Sequence, residues 1–128
     1  MITCNLTPGT VVGTRVGLIT HVGIVTDRHA GGQPMVISNS MRSGRVEEEP
    51  LRIFQGGFPL VPVTQPALVP ASEVLSRARQ KLGTRWDLLS WNCEHFVHWA
   101  FGQDPKSPQL RAGLISGLAF LMAILARK

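Results

Sequence analysis

Cysteine is scarce in these 128 residues: Cys4 and Cys93 stand alone, which excludes a disulfide framework as the source of the fold. Charge is also thin. With 16% of residues charged and 44% hydrophobic, wholesale disorder is excluded, and the chain is slightly apolar for a purely soluble protein. The opening residues Met1-Ile2-Thr3-Cys4-Asn5-Leu6-Thr7-Pro8 lack the basic-then-apolar pattern of a secretory leader, so a reducing cytoplasm is the expected setting. Internal repeats, low-complexity tracts and nucleic-acid module signatures are missing too, and a nucleic-acid partner is not expected. What the length does allow is one domain with a core of its own.

Acidic residues are few in the C-terminal part. Residues 1–73 hold five basic and five acidic side chains, whereas residues 74–128 hold eight basic and three acidic, so the net charge of +5 belongs to the second stretch. Arg77, Arg79, Lys81 and Arg85 precede Cys93, and Lys106, Arg111, Arg127 and Lys128 follow it. Such a distribution suits an anionic membrane surface, with a solvated helix face as the plain alternative.

The apolar, β-branched run Val16–Thr26 reads as a buried strand carrying His21 in its middle. With a period of two, His21 shares a face with Ile19, Gly23 and Val25. Gly31-Gly32 marks a hairpin-like loop into a second, antiparallel strand, Met35–Asn39, which brings Ser38 or Asn39 near His21. Further strands are expected at Arg45–Glu48 and at Pro59–Val63, the latter demoted to an edge by its prolines. Helices are expected from Ser72 to Leu82, stopped by Gly83, and from Asn92 to Phe101, ended by Gly102. Strands first and helices last give an α+β fold: an antiparallel sheet packed on a cysteine-bearing helix.

No apolar run reaches the length of a comfortable membrane span. The longest, residues 112–126, is apolar all round and flanked by Arg111 and Arg127-Lys128, but fifteen residues give only ~22 Å of helix against a ~30 Å hydrocarbon core. We read residues 1–110 as a catalytic domain and 111–128 as a hydrophobic C-terminal segment, an anchor or re-entrant element. A core or dimer-interface helix is the alternative, and Gly113 and Gly117 would permit close helix contact there.

Asn92 is a preferred N-cap residue, which puts Cys93 in the first helical turn, where unpaired N–H groups and the helix dipole lower a thiol's pKa. A thiolate at Cys93 with the imidazole of His21 supplies nucleophile and general base, and a third polar group must hold the ring. The backbone N–H groups around Cys93 are candidates for stabilising an oxyanion. Cys93, His95 and His98 are close in sequence, but helical geometry turns Cys93 and His95 apart and no second cysteine pair completes a zinc set. Neither metal nor cofactor is therefore expected; His98 is expected to face solvent or to pair with Glu94.

The blocks His21-Val22-Gly23-Ile24-Val25 and Asn92-Cys93-Glu94-His95-Phe96-Val97, with the helix end Ala78-Arg79-Gln80-Lys81-Leu82-Gly83 between them, resemble the lecithin:retinol acyltransferase family, especially its H-Ras-like suppressor phospholipase/acyltransferase branch. The resemblance runs from about Pro8 to Gly102. It implies a circularly permuted NlpC-type, papain-like fold, with Cys93 as nucleophile and His21 as base. The family's second histidine corresponds here to Ser38, with Asn39 beside it, and the tyrosine found near the histidine in part of the family has no counterpart, since the chain contains no Tyr.

The expected function is a cytoplasmic, membrane-associated thiol enzyme that transfers or hydrolyses acyl groups of phospholipids or other acyl lipids through a Cys93 thioester. Two alternatives stand beside it. One is an NlpC-type cysteine peptidase or amidase, which needs export. The other is a non-catalytic interaction module tethered by its tail, which loses the family's second histidine but keeps the fold. Oligomeric state is not legible.

Overall fold

The computed structural model describes residues 6–114. Five antiparallel strands form one sheet in the order β4-β3-β2-β1-β5, with β1 at Val11–Val16, β2 at Ile19–Ala30, β3 at Gln33–Ser40, β4 at Arg45–Pro50 and β5 at Leu60–Val61. The helices are α1 (Leu51–Gln55), α2 (Ala71–Gln80) and α3 (Cys93–Ala100), and residues 108–114 are also helical. The α+β reading holds.

The single strand expected over Val16–Thr26 is instead a hairpin. Gly17 adopts φ 63 and, with Leu18, turns the chain between Val16 and Ile19, so the first residues of the run belong to the turn and β2 extends on to Ala30. The second hairpin is as expected. Gly31 (φ 59) and Gly32 (φ 78) both occupy the left-handed region that a two-residue connection from Ala30 to Gln33 requires. Helix α1 has no counterpart in the sequence reading. Pro50 ends β4, five residues turn once, and Gly56 at φ 60 closes the turn.

Each face of the sheet buries its own core. On one side Val22, Ile24, Ile37 and Val46 pack against Val74, Leu75 and Ala78 of α2 and Phe96, Val97 and Ala100 of α3. On the other, Val12, Val25 and Val36 pack against Leu51 and Phe54 of α1. His21 goes to the α1 side with Gly23 and Val25, as the period of two requires. The β2–β3 ladder stops at Ile24↔Ile37, and beyond it both strands run on without pairing to each other. Residues 19–23 of β2 therefore offer an open edge on that side.

Three of the basic residues assigned above to an outer surface are used internally. The Arg77 guanidinium donates to the Trp99 carbonyl at 3.0 and 2.8 Å and lies 4.2 Å from that indole ring. Lys81 Nζ sits 4.7 Å from the Trp99 ring and 5.8 Å from that of Trp91. Arg79 pairs with Asp27 and Glu48. Arg85 and Arg111 remain exposed. The helix at 108–114 crosses the boundary drawn after residue 110, and most of the apolar stretch, from residue 115 on, lies outside the described residues, as does Cys4. Among the described residues no helix is long and apolar enough to cross a membrane.

Candidate active site

Helix α3 begins at Cys93 because Asn92 caps it. The Asn92 side-chain oxygen accepts the N–H groups of Glu94 (2.9 Å) and His95 (3.2 Å), while His95 Nδ1 accepts the Asn92 N–H at 2.9 Å. This is a capping box in which an imidazole takes the place of the usual Glu or Gln. His95 is thus a structural acceptor, and burial holds its pKa below the usual histidine range. His98 is buried rather than solvent-facing, with Nδ1 2.8 Å from the Glu94 carbonyl oxygen. Upstream, Asp87 accepts the N–H groups of Leu89 and Ser90 and folds the loop that delivers Trp91 and Asn92.

The backbone N–H of Val22, the residue after His21, is near enough to the thiol to favour its ionised form. The opening between β2 and β3 makes that contact possible, since it exposes the β2 edge to the start of α3. Yet the thiol is not lowered as expected. Burial pushes Cys93 up to about 11, outweighing the N–H groups of Val22, Glu94 and Cys93 itself, with the Glu94 carboxylate also opposing ionisation. The helix start offers less than the sequence reading assigned to it, because the Asn92 cap already consumes the Glu94 and His95 N–H groups. Those same two groups drop out as oxyanion donors.

The His21 ring stacks on Phe54, with centroids 5.0 Å apart and planes at 28°. Gly23 makes room for this. A Cβ there would meet Phe54 Cε1 at 2.9 Å and Val36 Cγ1 at 2.6 Å, so no other residue lets Phe54 lie so close to the strand. Burial, with the positive charge of Arg42 adding to it, lowers His21 to about 4. Arg42 is itself held by a bidentate pair with Glu49 at 2.7 and 2.8 Å. The ring lies on the α1 face of the sheet, Cys93 packs with the core of the α3 face, and no hydrogen bond joins thiol to imidazole in this conformation.

Ser38 and Asn39 separate as strand alternation demands. Ser38 follows Val36 onto the α1 side, the face of His21, where its buried hydroxyl has no partner among the described residues. Asn39 turns the other way: its side-chain N–H₂ donates to the Trp91 carbonyl at 2.6 Å and lies 3.5 Å from that of Asn92. It braces the cysteine loop and is turned away from the His21 face. Ser107 and Gln109, which no motif marked, meet Glu94 at the start of α3: the Glu94 carboxylate accepts from the Ser107 hydroxyl (2.7 Å) and the Gln109 N–H (2.8 Å).

Two surface depressions, one lined by Asp27, Ser72, Leu75, Ser76, Arg79 and Gln80 and the other by Arg52, Gln55, Gly57, Phe58 and Pro59, include neither His21 nor Cys93. The model of the family described as lecithin retinol acyltransferase matches residues 8–104, and no curated protein matches the chain.

Proposed function

Because the chain belongs to the lecithin retinol acyltransferase family, we propose that it is a thiol enzyme acting on acyl esters of lipids, with Cys93 as nucleophile and His21 as base. The observation that carries the proposal is the family match over residues 8–104, which spans both His21 and Cys93; the Val22 N–H, one residue from the histidine, favours the thiolate of Cys93 and supports the pairing. The Cys93 sulfur attacks the ester carbonyl carbon while His21 takes the thiol proton. Collapse of the tetrahedral adduct breaks the ester C–O bond, and His21 returns the proton to the leaving alcohol. Water then releases the acyl group as an acid, or a hydroxyl or amine acceptor carries it away.

The conformation described is a resting one. Burial holds the thiol up at about 11 and the imidazole down at about 4, so both are neutral at pH 7 and their ion pair is disfavoured in this conformation. Productive attack requires the ring to leave Phe54 for the thiol, where each charge stabilises the other. Ser38, on the same face, is the candidate to hold the turned ring.

The strand-first, helix-last order supports the permuted NlpC-type arrangement, and the basic, apolar sequence beyond residue 110 supports a cytoplasmic, membrane-associated setting with that segment meeting lipid. The test is incubation with a phospholipid carrying a labelled acyl chain, followed by intact-mass analysis. We expect one acyl adduct on the wild type and none on Cys93→Ala; an adduct that survives the substitution overturns the assignment.

A further inference from the structure

The open edge of β2 has two occupants, and they bracket His21. Val22 turns its N–H to that edge, near enough to Cys93 to favour the thiolate. Thr20, two residues earlier and therefore facing the same edge, gives its N–H to Gln109 Oε1 at 2.9 Å and accepts Gln109 Nε2 at its carbonyl at 2.6 Å. One side-chain amide thus takes up the pairing that β3 gives up beyond Ile37.

The same segment grips the other half of the site. Ser107 accepts the Asn92 side-chain N–H₂ at 3.0 Å and donates to Glu94 at 2.7 Å, and the Gln109 backbone N–H donates to the same carboxylate oxygen at 2.8 Å. Asn92 and Glu94 are the two neighbours of Cys93, as Thr20 and Val22 are the two neighbours of His21. Five short bonds from two residues, Ser107 and Gln109, cross-link the flanks of both groups, and Ser107 is buried where it makes its own. The helix at 108–114 continues from this knot.

We propose that Gln109 is a positioning residue, a latch that sets the spacing between the His21 strand and the Cys93 helix and ties it to the C-terminal helix. It touches neither sulfur nor imidazole. Its amide fixes the strand edge at Thr20 while its backbone and Ser107 fix the helix start, so a displacement of the C-terminal helix is a displacement of base against nucleophile. The proposal rests on the reading of His21 and Cys93 as a pair, but it does not depend on the acyl substrate.

The test is the rate of Cys93 alkylation by iodoacetamide from pH 5 to 11, on full-length wild type, Gln109→Ala, His21→Ala and the double variant, with melting temperatures alongside. Labelling is assigned by peptide mass so that Cys4 is counted separately. We expect Gln109→Ala to slow Cys93 alkylation near neutral pH at least threefold and to change its pH profile. In the His21→Ala background we expect almost no further effect, because the latch acts through the imidazole. Gln109→Glu keeps the shape but sets a carboxylate against the Thr20 carbonyl, so it should reproduce the defect at neutral pH. Effects of Gln109→Ala and His21→Ala that multiply, or a Gln109→Ala profile identical to wild type, overturn the proposal. Should Gln109→Ala fail to fold, the Gln109→Glu profile decides alone, and its failure to differ from wild type at neutral pH is the overturning result. If the wild type forms no acyl adduct with lipid, the alkylation coupling still stands or falls by itself.

Discussion

On the α3 side of the sheet the polar groups around Cys93 are multiply tied. Asn92 takes part in seven hydrogen bonds and Glu94 accepts two on one carboxylate oxygen, while Asn39, Ser107 and Gln109 each reach across to another element. On the α1 side His21 has a phenyl ring for company, and Ser38 holds a buried hydroxyl with no partner among the described residues. The surroundings of Cys93 are the more heavily tied, although the Asn39 side-chain oxygen there is also buried without a partner among the described residues, and those of His21 are loose. A buried polar atom left without a partner costs about 1–3 kcal/mol, which a fold carries where something else is gained. The gain proposed here is freedom for the imidazole to turn.

Removing the base is the strongest way to break this contrast. His21→Ala should lower the rate of acyl-adduct formation by roughly 10²–10⁴-fold, as loss of a general base does, while leaving the α3 side intact by circular dichroism. A fall of less than fivefold would mean that the loose side of the sheet is inert.

Acid should find the same weak point. His21 is lowered to about 4 in the fold against 6.5 when unfolded, so between those values the unfolded chain holds a proton that the native chain does not. Stability therefore falls as pH drops from 6.5 through 4, by at most about 3 kcal/mol from this group. Denaturant midpoints of wild type and His21→Asn, compared at pH 7 and pH 4, isolate the contribution; equal losses in both would remove it. Cys93 acts at the other end. Raised to about 11 from 9.0, it withdraws stability as pH climbs from 9 to 11.

Two neighbouring substitutions sharpen the comparison further. Asn39→Ala deletes the donor to Trp91 and should cost about 1–3 kcal/mol in urea denaturation. Ser38→Ala deletes a hydroxyl without a partner and should change stability by less than about 0.5 kcal/mol in either direction. The same variant should still slow acyl transfer if Ser38 holds the turned ring. Equal stability losses at the two positions would erase the distinction between the faces.

The sequence was informative where periodicity and caps speak. Asn92 before an apolar helix located Cys93, and alternation through Gly23 and Val25 put His21 on its face. It also predicted that Ser38 and Asn39 cannot both point to His21, without saying which does. The Val16–Thr26 run misled because one glycine within a β-branched stretch reads as strand, whereas Gly17 at positive φ turns it into two. The thiol's direction was misread because a helix start was weighed without its desolvation, a quantity fixed only by tertiary packing. Gln109 carried no signal at all: its partner is a backbone edge, and backbone leaves no mark in the side-chain pattern.

The cations spent on tryptophan have an optical consequence. Two of the three indoles, Trp91 and Trp99, stand against Lys81 and Arg77, which bind α2 to α3 through ring faces. Their emission is a built-in gauge of how α2 seats on the nucleophile's helix, readable without a label and on the same sample that is being alkylated or acylated.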